Sequence, residues 1–506
     1  MNESKQRKVG AILSYLFIIA TTLIQLLYTP LLIKMLGPSE YGLYSLVYSI
    51  IGYLTVLDLG FGNAIVVYTT KYRSKKKYEE EKNIYGMFFL IFCIISLIIV
   101  LLGMILYFNV GTLFGDTMTN SEIERAKIMM LILTFNLSIT FLFNIFSSII
   151  TAYEKFIFQK VLTILNTLLV PILMIPLLFL GFKSIMLCLV ITIVNSIIMI
   201  SNYLYCKKKL DIEIRFRKFD YKLLKEMFCY SFFIFLGTIV DKINWSVDQF
   251  ILGAVSGTMA VSLYSVANNI NTLFINLSTS LSSVMLPKVT KMVVLNANGE
   301  ELTDEMIKVG RLQYFIIFLL VSGFGLFGKE FIIMWVGSDF LASYYIALIL
   351  IIPTFIPLIQ NLALCIRQAL NKHKFAAFIN FIIALFNIII SIPLAKYYGA
   401  MGAAIGTGIG MFLSVIIINV YYQKKLKLNM LRFWKNILQI TYKFSVPIIL
   451  ILIIMNILKL NGIIGFFVYV FIYSLLYFIT CYILIMNQYE KNLIKFIFAK
   501  IKRVKK

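Results

Sequence analysis

CYSFFIFLGTIVDKINWSVDQFILGAV, residues 229–255, is long and apolar enough to cross a bilayer as one helix. Its middle nevertheless carries Asp241, Lys242, Asn244 and Asp248. A charge at that depth costs about 2.5–3.5 kcal/mol on insertion scales, so it normally faces a partner or a water-filled cavity. Asp241, Asn244 and Asp248 stand at i, i+3 and i+7, one face of a helix. Trp245 lies on the same side, and Lys242 sits about 100° round. Two readings follow: a polar stripe lining a path through a membrane protein, or an Asp–Lys pair that locks two helices together.

The rest of the chain agrees with a membrane setting. Of 506 residues, 60% are hydrophobic and only 14% charged, against about a quarter charged in soluble domains. Six scattered cysteines include no CxxC pair, and the one histidine, His373, stands in a Lys-rich turn. Neither a metal site, a disulfide framework nor a cofactor is indicated. The first apolar run, residues 9–33, is too long for a signal-peptide core and lacks a small-residue cleavage site, so it reads as a span.

Apolar runs of about 20 residues give fourteen expected spans. They are 9–34, 42–69, 84–108, 127–152, 159–181, 184–205, 228–254, 260–286, 312–336, 343–367, 375–396, 400–422, 440–459 and 462–486. The connections alternate between basic and Lys/Arg-poor, and all but eight of the 47 Lys and Arg fall in the basic set. By the positive-inside rule both termini lie in the cytoplasm, which needs an even number of spans. The net charge of +24 then lies along an inner face beside anionic lipid headgroups, and no nucleic-acid partner is expected. Of 23 acids, only Asp58, Asp241 and Asp248 fall well inside spans.

Shifted by 220 residues, the chain partly matches itself: GPSEYGLYSLVYSI at 37–50 lies over GTMAVSLYSVANNI at 257–270. At offset 217, Ala152, Lys155 and Ile175-Pro176-Leu177 lie over Ala369, Lys372 and Ile392-Pro393-Leu394. A nearly constant offset, with loops in register, predicts a parallel internal repeat. The fold class expected is therefore all-α integral membrane, with two six-helix bundles and two added C-terminal helices. The divisions expected are a first bundle at 1–206, a cytoplasmic linker at 207–226, a second bundle at 227–425, and the extra helices with a basic tail at 426–506.

Two such bundles would meet around a polar space. Tyr264, Asn268, Asn271, Ser278 and Ser282 fall on one face of the eighth span. Under the repeat, the polar positions of the seventh span correspond to Thr21, Thr22, Gln25 and Tyr28 of the first. Pro353 and Pro357 can kink the tenth span. Gly60 and Gly62 after Asp58, and GAMGAAIGTGIG at 399–410, read as sites of close helix packing.

LGPSEYGLYSL (36–46), LDLGFGNAIVVYTTKY (57–72), LPKVTK (286–291) and YYGAMGAAIGTGIG (397–410) resemble the bacterial polysaccharide-biosynthesis flippases. These belong to the multidrug/oligosaccharidyl-lipid/polysaccharide exporter superfamily. The resemblance covers nearly the whole chain. It implies a non-enzymatic flippase of the bacterial cytoplasmic membrane that moves undecaprenyl-pyrophosphate-linked oligosaccharide for O-antigen, capsule or a similar glycan. Its partners would be that substrate, membrane lipids, and a polysaccharide polymerase or glycosyltransferases. Relatives that flip peptidoglycan precursor carry several cavity arginines, suited to a pyrophosphate; the one deeply placed cation here is Lys242. The substrate path is expected to include Asp241, Lys242, Asn244, Trp245, Asp248, Asp58, Gln25, Tyr28, Asn268 and Asn271. The alternatives are a cation-coupled drug antiporter using Asp58, Asp241 and Asp248, a membrane glycosyltransferase or polymerase, and a non-transporting scaffold.

Overall fold

The computed structural model describes residues 3–492 and 495, apart from Arg217, Val284, Asn371 and His373. The reading of His373 as a turn residue therefore falls outside the described residues. Among the described residues every regular element is helical, as long apolar runs with no water to satisfy the backbone require.

The order is α1 (Glu3–Leu36), α2 (Pro38–Tyr53), α3 (Phe61–Ser74), α4 (Tyr78–Phe114), α5 (Asn120–Ala152), α6 (Phe156–Phe179), α7 (Ser184–Lys209), α8 (Tyr221–Val255) and α9 (Gly257–Ser283). Then come α10 (Leu286–Val294), α11 (Gly299–Val336), α12 (Leu341–Ile359), α13 (Asn361–Ala369), α14 (Lys374–Lys425), α15 (Met430–Thr441), α16 (Ser445–Leu458) and α17 (Gly462–Thr480). Among the described residues, eleven helical stretches are long and apolar enough to cross a membrane. Fourteen crossings further require α14 to count twice and both α8 and α9 to cross.

Three spans are less regular than their composition suggests. The second is broken: a 3-10 turn at Leu54–Asp58 and left-handed residues at Leu59 and Gly60 separate α2 from α3. The tenth ends at Ile359, two residues after Pro357, and restarts as α13. Inside α14, Gly399 takes φ +56 and ψ −138. That reversal makes two antiparallel arms, which match the expected eleventh and twelfth spans.

The chain forms two compact units, residues 1–269 with 374–410, and residues 270–373 with 411–506. In the first unit, Phe88, Phe92, Phe141, Ile145 and Ile149 build an aromatic and aliphatic core between α3, α4 and α5. The 210–220 segment is docked on the start of α4. Lys82 Nζ meets Glu213 at 2.9 Å, Asn83 exchanges two hydrogen bonds with the Lys218 backbone, and Gly86 leaves room for the Arg215 carbonyl. In the same unit, the aligned positions Gly37 and Gly257 open α2 and α9 with φ +87 and +80. The left-handed region favours glycine at both.

In the second unit, Phe444 stacks on Tyr477 and packs beside Tyr314 and Phe318. Arg311 grips Glu490 through two bonds of 2.5 and 2.9 Å, a forked pair that compensates two buried charges. α15 buries Met430, Phe433, Ile437 and Ile440 on one side. Its Arg432 reaches Glu300 and Asp304 on α11 at 2.8 and 2.7 Å.

Candidate functional site

Two polar clusters in the first unit involve α8. The first depends on the α14 reversal. Gly402, Gly406 and Gly410 share one face of the second arm. A β-carbon on Gly402 would stand 1.9 Å from the Leu394 carbonyl, and one on Gly406 would stand 2.2 Å from Ser391 Oγ. One on Gly410 would touch Asn387 at 3.3 Å. Glycine thus lets the arms close until their polar side chains bond. Ser391 Oγ donates to Asn387 Oδ1 at 2.8 Å, and Asn387 Nδ2 donates to Thr407 Oγ1 at 3.1 Å.

Thr407 Oγ1 then donates to Asp248 Oδ2 at 2.5 Å, and the Tyr264 hydroxyl of α9 donates to the same oxygen. Asp248 is 1% exposed, and its Oδ1 has no hydrogen-bond partner among the described residues. A lone carboxylate with one unsatisfied oxygen, ringed by neutral hydroxyls and an amide, is chemically suited to a proton or a small monovalent cation. Among the described residues no three His, Cys, Asp or Glu side chains come together as a metal cluster.

The second cluster lies on another side of α8. Lys242 and Asp248 are six residues apart, about 240° round a helix, so they cannot serve the same space. Lys242 lines a cavity of about 220 Å³ with Tyr48, Gly52, Asn136, Thr140 and Asn195. Lys242 Nζ lies beside Gly52, where a β-carbon would stand in ordinary contact at 3.7 Å. The wall includes no Asp or Glu among the described residues. Lys242, read as standing about 100° off the Asp241–Asn244–Asp248 stripe, lines this cavity, while Asp248 bonds Tyr264 and Thr407. The side chains of Asp241, Asn244 and Trp245 lie outside the described residues.

Asp58 sits in the break before α3. Its Oδ1 accepts from Asn144 Nδ2 at 3.2 Å, and the backbone N–H groups of Gly60 and Gly62 donate to its carboxylate. That is the geometry of an acid satisfying a helix start. Gln25 Nε2 donates to the Asn269 carbonyl at 3.3 Å. The Tyr28 hydroxyl is buried with no hydrogen-bond partner among the described residues. Asn268 is half-buried in the first unit, whereas Asn271 is fully buried in the second. The sequence reading missed Asn136, Thr140 and Asn195 on the cavity wall, and Thr407, Asn387 and Ser391 around Asp248. The spacing of Asn136, Thr140 and Asn144 along one face of α5 was the available signal.

Residues 8–293 match the family described as polysaccharide biosynthesis protein. A putative O-antigen transporter of Shigella flexneri is 21% identical over 398 residues, 77% of this chain and 91% of the relative. An uncharacterized membrane protein in the cps region of Klebsiella pneumoniae is 24% identical over 242 residues, 46% of this chain and 48% of the relative. The fold is that of the lipid II flippase MurJ in an inward closed conformation, with TM-score 0.68 and 20% identity over 95% of this chain and 98% of that one. It is also that of an inward-facing multidrug resistance MATE family transporter of the MOP superfamily, with TM-score 0.63 and 15% identity over 79% and 92%.

Proposed function

This chain belongs to the polysaccharide biosynthesis protein family, and from that premise we propose that it is a flippase for lipid-linked oligosaccharide. The unit carried is an undecaprenyl-pyrophosphate-linked glycan, moved between leaflets of the bacterial cytoplasmic membrane to supply O-antigen, capsule or a similar surface polysaccharide. It is not an enzyme. Both termini lie in the cytoplasm, and fourteen helices form two related six-helix bundles and an added pair. A polymerase or glycosyltransferases work beside it.

The observation that carries this reading is Lys242, which lines a cavity with Asn136, Thr140 and Asn195 in a multi-pass helical protein. An ammonium in that setting attracts a pyrophosphate as a point charge. The Shigella relative, itself described as a putative O-antigen transporter, supports the same cargo class. Lys242→Ala in a glycan-producing strain is expected to abolish surface display while the protein stays at normal abundance in the membrane. Wild-type display in that variant would remove the path from Lys242.

The Asp248 cluster favours a second reading, cation-coupled antiport. A buried carboxylate bonded by Tyr264 and Thr407 is what a coupling proton or Na⁺ would require. Export of dyes or drugs driven by an ion gradient in membrane vesicles would support it; glycan-dependent activity alone would support the flippase.

A further inference from the structure

We propose that Asn136 is a second recognition donor for the pyrophosphate, aimed by a one-way chain of side-chain amides. The inference rests on reading the Lys242 cavity as the pyrophosphate seat. Asn166 Nδ2 on α6 donates to Asn195 Oδ1 on α7 at 3.0 Å. Asn195 Nδ2 donates in turn to Asn136 Oδ1 on α5 at 3.2 Å. A carboxamide has one acceptor oxygen and two N–H donors. Two bonds in series therefore engage both wall carbonyls and fix the last amide with its nitrogen outward.

Asn136 Nδ2 donates to no other group among the described residues, and Asn136 and Asn195 both line the cavity. The hydroxyls of Thr140 and Thr55 give their protons to the Asn136 and Gly52 carbonyls and so offer the cavity only lone pairs. Asn136, Asn195 and Lys242 are the nitrogen groups of the wall, and no carboxylate lines it among the described residues. Volume narrows the ligand that these donors could serve. About 220 Å³ is less than the roughly 300–1,000 Å³ of sites for drug-sized ligands, so the cavity suits a headgroup rather than a whole oligosaccharide. Amide chains of this kind polarise one another, which strengthens the terminal N–H.

The test uses the full-length protein in lipid nanodiscs. Calorimetry with inorganic pyrophosphate reads the shared phosphoryl chemistry, and native mass spectrometry with undecaprenyl pyrophosphate reads the lipid-borne form. Asn136→Asp replaces donors by an acceptor-only group, and affinity for both probes is expected to fall at least about tenfold. Asn166→Leu leaves the cavity wall intact but frees the chain to turn, and a several-fold loss is expected. If Asn136→Asp does not accumulate, Asn166→Leu and Asn136→Leu carry the same comparison. Wild-type pyrophosphate affinity in all the Asn variants, with binding lost in Lys242→Ala, overturns the amide proposal and leaves the seat intact. Wild-type affinity in Lys242→Ala overturns the seat itself. Glucose or N-acetylglucosamine binding that is lost in Asn136→Asp, while pyrophosphate is held, also overturns the proposal.

Discussion

Gly42 of α2 packs against the backbone carbonyl of Thr258 at the start of α9, so closely that a β-carbon on Gly42 would stand 1.9 Å from that oxygen. The two segments are the ones the sequence repeat aligns. Two bonds fasten the same end of the unit. Thr117 Oγ1 donates to the Gly253 carbonyl at 2.6 Å, and Thr258 Oγ1 donates to Glu122 at 2.9 Å.

Gly42→Val is therefore expected to part these segments, because a carbonyl in a helix cannot yield as a flexible side chain can. Ser262, fully buried and 3.2 Å from the same β-carbon position, is the reporter. A Ser262→Cys thiol should resist a polar maleimide in the parent chain and react at least about tenfold faster beside Gly42→Val. An unchanged labelling rate would mean that the contact does not hold this end closed.

Thr407→Val removes one of the two hydroxyl donors to Asp248 Oδ2 while keeping the side-chain shape. The expected loss is about 1–3 kcal/mol, the range for a buried acceptor left short of a partner, read as a lower melting temperature in detergent. Asp248→Asn keeps the shape and removes the charge. It should fold, and any dependence of transport on a Na⁺ or proton gradient should vanish with it. Retained ion dependence would place coupling elsewhere.

Bonds from Lys82 and Arg215 hold the Glu213 carboxyl below its ordinary 4.5. A depressed acid stabilises the docked 210–220 segment above its unfolded value and loses that contribution as pH falls through the folded one. Protease cleavage in 210–220 should thus be constant from neutral pH down to the ordinary carboxylate range, and rise only below it. Lys82→Ala should raise cleavage already at neutral pH.

Reporter fusions after Lys76, Lys208 and Lys425 should all read as cytoplasmic. A consistent external signal at any one of them would break the proposed orientation, in which the basic connections face inward.

Much of this was visible in the residues before the structure. Asp248 and Tyr264 stood out because charge and hydroxyls in apolar helices are expensive. The glycine-rich stretch at 399–410 announced close packing. The hidden part was relational. Thr407 lies 159 residues from Asp248, and no local pattern joins them. Asn136 shares a polar face of α5 with Thr140 and Asn144, but nothing joined it to Asn195 and Asn166 until α5, α6 and α7 came together. Helix arithmetic already set Lys242 off the face of Asp248, and only their expected shared path joined them. The break at 54–60 was masked in hydropathy, because Leu54, Val56, Leu57 and Leu59 keep the stretch apolar around Asp58.

Gly399 also bears on how the chain is made. The two arms of α14 turn back on each other through a single residue, with Gly402, Gly406 and Gly410 seated against Leu394, Ser391 and Asn387. No connecting loop is left to pause in, and each arm carries polar groups whose partners sit on the other. Residues 374–425 are therefore expected to enter the bilayer as one hairpin rather than as two successive threads. Translation halted before Thr407 has emerged would strand Asn387 in lipid, and the truncated chain would be a substrate for membrane quality control.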